Sequence, residues 1–189
     1  TLAARKNYKV ICKQIKQFNP KNFVITDKKT YLKIIKKFKK KKINILNNFS
    51  DIPKKFKKND ITISAITGLS GLEPTLQFIK VSKKILLANK ESIVCGWDII
   101  NKIAKKYKTK IAPIDSEHFS IQELLNNYNK DEIEKIYITA SGGPFLNLPK
   151  KNFKNIKPAD AIKHPKWRMG KKISVDSATL MNKILELIE

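Results

Sequence analysis

The sequence predicts an α/β fold in which a parallel sheet carries helices on its faces. Short apolar runs alternate with amphipathic stretches through the first 115 residues, and this alternation is typical of βαβ units. After Asp115 the connections become longer and more polar. We therefore predict a parallel-sheet domain in residues 1–115 and a second domain with both helices and strands in residues 116–189.

The first half of the sheet domain is predicted from four segments whose apolar residues follow helical or strand periodicity. In the first of them, the apolar residues Val10, Ile11, Ile15 and Phe18 fall on one helical side. The four elements are a helix over Tyr8–Phe18, a strand over Asn22–Thr26, a helix from Lys28 to about Lys40 and a strand over Ile43–Leu46.

The second half of the sheet domain begins with a strand that Gly68 and Gly71 terminate. Proline is tolerated in the first turn of a helix, so Pro74 is compatible with the helix predicted next. The elements are a strand over Ile61–Thr67, a helix over Leu72–Val81, a strand over Lys84–Ala88, a helix over Glu91–Tyr107 and a strand over Lys110–Ile114.

The second domain has fewer patterned segments. A helix is predicted over Glu117–Asn127 and a strand over Ile136–Ala140, which ends in Ser141-Gly-Gly. Residues 146–170 form a connection long enough to be a functional flap or a disordered segment. A short strand and then a helix from about Ser177 follow it.

The formal net charge of +24 is compatible with a nucleic-acid-binding protein. However, 38 of the 40 basic residues are lysine, whereas arginine is suited to bidentate phosphate and guanine contacts. The lysines are also spread over most of the chain. A generic lysine coat is favoured and no nucleic-acid partner is expected, with a basic nucleic-acid-binding module as the alternative.

Neither a membrane partner nor secretion is predicted. No apolar run approaches the roughly 20 residues of a membrane span, and the chain does not open with a signal-peptide pattern. Cys12 and Cys95 belong to no paired motif, so reduced thiols in a cytoplasmic protein are expected. Because the chain opens with Thr1 and stops inside a helical pattern, we expect it to be a fragment.

Asp115 and Glu117 follow a predicted strand, where ligands of α/β proteins bind. Carboxylates are the ligands that Mg²⁺ or Mn²⁺ prefers, and Glu186 could complete such a site. An ordinary acid-rich helix N-terminus explains Asp115 and Glu117 equally well. Lys90 and the Ser141-Gly-Gly turn are candidates for an anionic substrate, and no G-x-G-x-x-G fingerprint occurs.

The helix from about Ser177 carries two stripes at helical spacing. A solvated polar face is the ordinary explanation for the second stripe, although its groups could also hold a phosphate and a cation. The apolar stripe is Met181, Ile184, Leu185 and Ile188, and the polar stripe is Thr179, Asn182, Lys183 and Glu186.

Six short motifs occur in order along the chain. They are Ala4-Arg-Lys-Asn7, Leu87-Ala-Asn-Lys-Glu-Ser92, Pro113-Ile-Asp-Ser-Glu-His118, Thr139-Ala-Ser-Gly-Gly-Pro-Phe145, His164-Pro-Lys-Trp-Arg-Met-Gly170 and Ile173-Ser-Val-Asp-Ser-Ala-Thr179, the last running on to Met181-Asn-Lys183 and Glu186. In this order and spacing they resemble the 1-deoxy-D-xylulose 5-phosphate reductoisomerase family.

The resemblance implies a Rossmann-like NADPH-binding domain followed by part of an α+β catalytic domain, with residues 146–170 as a flap. The implied enzyme is an oxidoreductase and isomerase of the non-mevalonate isoprenoid pathway. With NADPH and Mg²⁺ or Mn²⁺, it converts 1-deoxy-D-xylulose 5-phosphate to 2-C-methyl-D-erythritol 4-phosphate by rearrangement and hydride transfer. A phosphosugar substrate and a full-length homodimer are implied.

The resemblance also assigns roles to individual residues. The implied metal ligands are Asp115, Glu117 and Glu186. The implied NADPH contacts are Lys6, Asn7, Asn89, Glu91 and Gly170. The implied substrate contacts are Lys90, Ser116, Glu117, Ser141, His164, Ser177, Asn182, Lys183 and Glu186. The implied catalytic residues are Lys90, Glu117, His164 and Trp167, with Trp167 and Met169 on the flap.

The chain also departs from the family pattern. Arg5 and Ile184 stand where the family usually has glycine, and Phe119 to Gln122 differ from the usual run. The Gly-rich turn expected before Thr1 and the helical domain expected after Glu189 are missing, so the isolated chain is expected to bind cofactor weakly. Another phosphosugar oxidoreductase remains an alternative function.

Overall fold

The computed structural model describes Thr1–Glu189 and contains two parallel sheets of three strands. The first sheet has the order β1-β2-β3 and the second the order β4-β5-β6. Because helices connect the parallel strands, the predicted α/β class is confirmed. The strands are β1 (Leu2–Ala4), β2 (Asn22–Ile25), β3 (Asn44–Leu46), β4 (Asn59–Ser64), β5 (Ser82–Leu87) and β6 (Lys110–Pro113).

Nine α-helices accompany the strands. None of them combines the length and the apolar character that crossing a membrane requires. Within the sheet part they are α1 (Tyr8–Phe18), α2 (Lys28–Lys37), α3 (Ile52–Lys55), α4 (Leu72–Ile79) and α5 (Lys90–Tyr107). The remainder are α6 (Ser116–Leu125), α7 (Pro158–Ala161), α8 (Lys171–Ala178) and α9 (Met181–Ile188).

Four of the helices begin at an Asn or Asp that follows a strand closely. In each case the side chain accepts a hydrogen bond from the backbone N–H three residues later, which satisfies one of the helix's free donors. These residues are Asn7, Asp27, Asn89 and Asp115. The caps place the N-termini of α1, α2, α5 and α6 at the carboxyl ends of β1, β2, β5 and β6.

The two sheets share a hydrophobic core through β2. Side chains alternate between the faces of a strand, so Phe23 and Ile25 pack with α1 and α2 on one side. Val24 points to the other side and joins the larger cluster of the second sheet. In α1 the buried residues are Ile11, Cys12 and Ile15, whereas Val10 and Phe18 of the predicted apolar side are exposed.

The predicted strand over Ile136–Ala140 is wrong, because that stretch is irregular. A strand needs a neighbour to satisfy its backbone hydrogen bonds, and no strand of this chain pairs with it. The short strand predicted before Ser177 is also wrong. That stretch forms α8, whose backbone hydrogen bonds are local, and the helix predicted from Ser177 starts only at Met181.

Candidate active site

The candidate site is a cavity of about 530 Å³ at the carboxyl ends of β4, β5 and β6. The loop after β5 and the start of α6 form one side, and the His164–Met169 segment with α8 and α9 forms the other. Twelve of the predicted site residues line it, namely Asn89, Lys90, Glu91, Asp115, Ser116, Glu117, Ser141, His164, Trp167, Ser177, Asn182 and Lys183.

Asn89 holds the loops on the sheet side of the cavity. Its side chain is buried, accepts from the Ser92 amide at 2.9 Å and donates to the carbonyls of Ile66 and Gly68. A Cβ on Gly71 would lie 2.3 Å from the Ile66 carbonyl oxygen, so only glycine fits beside this amide. The loop after β4 and the N-terminus of α5 are thereby fixed together.

Three carboxylates converge beside this loop. Asp115 and Glu117 come from the first turn of α6, and Glu186 comes from α9. One oxygen from each lies within 4.8 Å of the others. Asp115 also forms a second grouping with His118 and Glu189, but the all-oxygen set is the one that a hard divalent cation prefers.

Two lysines and an amide surround the buried carboxylate of Glu186. Lys90 Nζ lies 2.5 Å from Glu186 Oε1, and the Asn182 amide donates to the same oxygen. Lys183 Nζ lies 2.5 Å from Glu186 Oε2 and 2.8 Å from Glu117 Oε1. The side chain of Glu186 is 0% exposed, so it depends on these cations, because an unpaired buried charge is costly.

The residues present fit a divalent cation. Glu186 Oε2 is buried and has no aligned hydrogen-bond donor, although the Lys183 ammonium is near it. Such an orphaned oxygen, on a carboxylate that lies close to those of Asp115 and Glu117, is what a hard cation would use as a ligand. Asp115, Glu117 and Glu186 are therefore the residues that could hold Mg²⁺ or Mn²⁺.

The charges of Glu117 and Lys183 stabilise each other. Burial alone would raise the pKa of Glu117, but hydrogen bonds from Lys183 and Ser116 outweigh it and lower this pKa from 4.5 to about 2. Burial would lower the pKa of Lys183, but the contacts with Glu117 and Glu186 raise it. Both groups are therefore charged at neutral pH.

The polar stripe of α9 faces the cavity, and the apolar one faces away. Asn182 and Lys183 are half-buried and Glu186 is buried, whereas Met181, Ile184 and Ile188 are exposed. The solvated-face explanation of the polar stripe is thus wrong for these three residues. Thr179 lies outside the stripe, since its hydroxyl donates to the Val175 carbonyl of α8.

Hydroxyl groups approach the other end of the cavity. Ser141 Oγ lies 3.0 Å from His164 Nε2. His164 Nδ1 accepts from the amides of Lys166 and Trp167, so a neutral ring carries its proton on Nε2 and donates it to Ser141. A Cβ on Gly143 would lie 3.0 Å from the Ser177 carbonyl, which explains why glycine brings this turn so close to Ser177.

The predicted flap residues line the open side of the cavity. Trp167 and Met169 both contribute to its wall, and Trp167 is 63% exposed. A large apolar side chain that is exposed beside a polar cavity is suited to covering a bound ligand. The flap segment itself contains a 3-10 helix over Lys150–Asn155 and the short α7.

Three of the predicted NADPH contacts do not line this cavity. The Lys6 carbonyl accepts from Thr30, Asn7 caps α1, and Gly170 precedes α8 next to Met169. Their role stays a prediction. Arg5 has no positive φ angle, and Ile184 lies within the regular helix α9, so both side chains that replace the usual glycines are accommodated without backbone strain.

The structure places two further residues at the site, of which the sequence did not single out Lys172. Lys172 contacts both Glu91 and Asp176 in the cavity wall. His118 Nδ1 lies 2.9 Å from Asp115 Oδ1, and its Nε2 lies 3.1 Å from the Glu186 carbonyl oxygen. The i, i+4 spacing of Lys172 and Asp176 is typical of an ion pair on a helix. It was not recognised, because a strand was predicted over these residues.

The comparisons with known proteins cover nearly the whole chain. The family model described as 1-deoxy-D-xylulose 5-phosphate reductoisomerase matches residues 1–96, and that of its C-terminal domain matches residues 111–189. The 1-deoxy-D-xylulose 5-phosphate reductoisomerase of Pelagibacter ubique is 54% identical over 100% of this chain and 49% of its own length. That of Thermodesulfovibrio yellowstonii is 45% identical, with the same coverage.

Solved structures of 1-deoxy-D-xylulose 5-phosphate reductoisomerases are also similar to this chain. A DOX-P reductoisomerase in complex with NADPH, fosmidomycin and magnesium has a TM-score of 0.84 and 35% identity, over 98% of this chain and 49% of that one. The enzyme of Zymomonas mobilis in complex with NADPH has a TM-score of 0.83 and 34% identity, over 98% and 48%. This chain spans about half the length of the curated relatives it matches.

Proposed function

The chain belongs to the 1-deoxy-D-xylulose 5-phosphate reductoisomerase family, and we propose that its protein converts 1-deoxy-D-xylulose 5-phosphate to 2-C-methyl-D-erythritol 4-phosphate with NADPH. The observation that carries the proposal is the convergence of Asp115, Glu117 and Glu186, the first two of which line the cavity. Lysine and serine groups suited to a phosphate line the same cavity. The nucleic-acid-binding module and another phosphosugar oxidoreductase are not favoured.

In the proposed mechanism, Asp115, Glu117 and Glu186 would hold Mg²⁺ or Mn²⁺. When bound, the cation supplies Lewis acidity for the rearrangement, and NADPH supplies the hydride for the reduction. Lys90 would place a positive charge beside the reacting oxygens, where developing negative charge needs stabilisation. Glu117, which Lys183 keeps ionised, would contribute a negative charge beside the reacting oxygens.

The phosphate end would be bound by groups from several elements. Lys183, Asn182 and Ser177 approach from α8 and α9 and Ser116 from the start of α6, while Ser141 and His164 approach from the loops. Trp167 and Met169 would close over the substrate and exclude water during hydride transfer. Asn89 and Glu91 would contact the nicotinamide nucleotide from the N-terminus of α5, and Lys6, Asn7 and Gly170 would contact it farther away.

The proposal extends to organisation and location. Residues 1–115 would form the NADPH-binding domain and residues 116–189 the first part of the catalytic domain. We expect the full-length protein to be a cytoplasmic homodimer. Two cysteines without a disulfide support a reducing compartment.

The test is NADPH oxidation by the full-length protein with 1-deoxy-D-xylulose 5-phosphate. We expect activity only when Mg²⁺ or Mn²⁺ is present. Glu186→Gln should reduce kcat/KM by about a thousandfold or more, since removing one charged ligand weakens both metal binding and charge stabilisation. Glu123→Gln, which changes an exposed glutamate of α6, should leave activity within about twofold. Turnover without a metal would contradict the proposal.

A further inference from the structure

Lys172 makes two ionic contacts in the cavity wall that none of the roles above explains. It lies in the first turn of α8, and its ammonium group is paired with Glu91 of α5. It is also 2.5 Å from Asp176 Oδ2, one turn further along α8. All three residues line the cavity.

The two carboxylates have little access to water and share this one cation. The side chains of Glu91 and Asp176 are 17% and 14% exposed, while Lys172 is 45% exposed. Lys172 is the residue whose side chain is hydrogen-bonded to the Glu91 carboxylate. Without the ammonium group, two poorly solvated negative charges would face the same cavity, which is unfavourable for both of them and for any anionic ligand.

The position of Glu91 gives this contact a consequence for the whole site. Lys90 and Glu91 are consecutive at the N-terminus of α5 and carry opposite charges. Lys90 binds Glu186 of α9, and Glu91 binds Lys172 of α8. The two adjacent residues therefore fix both helices of the cavity's far wall against the sheet side of the cavity.

We propose that Lys172 is a positioning residue that couples the nucleotide side of the cavity, at Glu91, to the phosphate side, at Asp176 and the neighbouring Ser177. This inference rests on the proposed function. Lys172 neutralises Glu91 where the dinucleotide would approach, and it fixes the turn of α8 that carries Ser177. Because one ammonium group neutralises both carboxylates, loss of its charge should weaken the binding of both anionic ligands, NADPH and the phosphosugar.

The test compares Lys172→Met with Lys171→Met in the full-length enzyme. Lys171 is the adjacent lysine of α8, is exposed and makes none of the cavity's ion pairs. Both variants remove one positive charge, so long-range electrostatic effects are matched. The quantities to measure are the Kd for NADPH by fluorescence titration, and the KM for 1-deoxy-D-xylulose 5-phosphate and kcat from steady-state rates.

For Lys172→Met we expect about a tenfold rise in both the Kd for NADPH and the KM, as loss of charge-assisted hydrogen bonds implies. The value of kcat should change by less than about threefold, because Lys172 does not contact the reacting atoms. Lys172→Arg should recover most of the affinity, and Lys171→Met should stay within about twofold of wild type. A residue with only a structural role would lower the unfolding temperature without this split between KM and kcat.

Equal effects of Lys172→Met and Lys171→Met on both ligands would overturn the proposal. A fall in kcat with unchanged Kd and KM would also overturn it. Lys172→Gln gives the same comparison if the Met variant does not fold. A wild-type enzyme that oxidises no NADPH with this substrate would instead refute the proposed function, whereas an active wild type with indistinguishable variants refutes only the role of Lys172.

Discussion

The carboxylate of Glu117 accepts hydrogen bonds from the Lys183 ammonium and the Ser116 hydroxyl. Glu117 lies in the first turn of α6, which Asp115 caps, so its position is set by a local signal in the sequence. Lys183 lies 66 residues later and reaches it only because α9 turns its polar stripe inward. The contact of Glu117 with Ser116 was therefore predictable from local sequence, whereas its contact with Lys183 depends on tertiary packing.

The ion pair of Glu117 and Lys183 predicts how the stability of the metal-free protein depends on pH. Burial would raise the pKa of Glu117, but its hydrogen bonds lower it to about 2 from 4.5. The unfolded state therefore binds more protons than the folded state between these values, and the stabilisation by Glu117 is present above about pH 4.5 and lost as the pH falls toward 2.

Lys183→Met should remove much of this dependence, because the pKa of Glu117 then rises toward its unfolded value. The measurement is the urea midpoint of full-length protein at several pH values between about 6 and 3, with Lys130→Met as a control on an exposed lysine. The midpoint of Lys183→Met should fall less steeply than that of the control. Equal slopes would show that the ion pair does not hold the pKa down.

At the scale of the elements, the sequence predicted the sheet part well. The helix over Tyr8–Phe18 has its predicted ends, and α5 and the six-residue strand β5 differ from prediction by one or two residues. Their periodicity agrees with their caps, so local and tertiary preferences coincide. The short elements β1 and α3 were not predicted, although the equally short β3 was, because three or four residues carry little periodicity.

The second part of the chain was predicted less well for a physical reason. Ile136–Ala140 has the β-branched and aromatic residues of a strand, but a strand forms only beside a partner. Its exposed Tyr137, at 81%, has no such neighbour. In α9 the helical period was correct, but periodicity gives only the two faces and not which of them packs inward.

Two glycines in the loop after β4 are needed for different reasons, Gly71 because a side chain would clash and Gly68 because of its positive φ angle. Gly71 has an ordinary φ of −81°, but a Cβ there would clash with the Ile66 carbonyl and with Asn89. Gly68 has a φ of 73° and open space around it. Gly68→Ala should therefore cost about 1–2 kcal/mol of stability through backbone strain, because a φ of 73° with a ψ of −172° is a conformation that essentially only glycine adopts.

Gly71→Ala should cost more, about 2–3 kcal/mol, because it must displace backbone or the buried Asn89 amide. It should also weaken NADPH binding, since Asn89 fixes the N-terminus of α5. Urea unfolding and nucleotide titration of the two variants in the full-length protein measure both effects. A larger loss of stability for Gly68→Ala would mean that φ, rather than the close approach, determines the use of glycine in this loop.

At the scale of the whole molecule, the site depends on parts of the chain that are distant in sequence. Lys90 and Glu186 are 96 residues apart, and Lys172 and Glu91 are 81 apart. No local pattern predicts such contacts. The ordered motifs did predict which residues would meet, because twelve of the predicted residues line one cavity, whereas the positions of Lys6, Asn7 and Gly170 relative to a bound nucleotide stay predictions.

The net charge of +24 is spread over the 189 residues of this chain and predicts the character of its contacts with polyanions. The basic residues are almost all lysine, and most of these side chains are exposed without an ion-pair partner. A dispersed lysine coat attracts phosphates without fixing their geometry, so binding to nucleic acid should be electrostatic and independent of sequence. Electrostatic binding of this kind weakens as the salt concentration rises.

We therefore expect the full-length protein to bind duplex DNA weakly at low salt and to release it by about 0.2 M salt, as counterion release implies. Fluorescence anisotropy of two unrelated duplexes over a salt series measures this, and the two curves should coincide. NADPH should remain bound at the same salt concentration, because the proposed contacts Asn89 and Glu91 are buried and half-buried, and such contacts are screened much less. Salt-resistant binding to one duplex alone would contradict this expectation. It would support a dedicated nucleic-acid surface in place of a dispersed lysine coat.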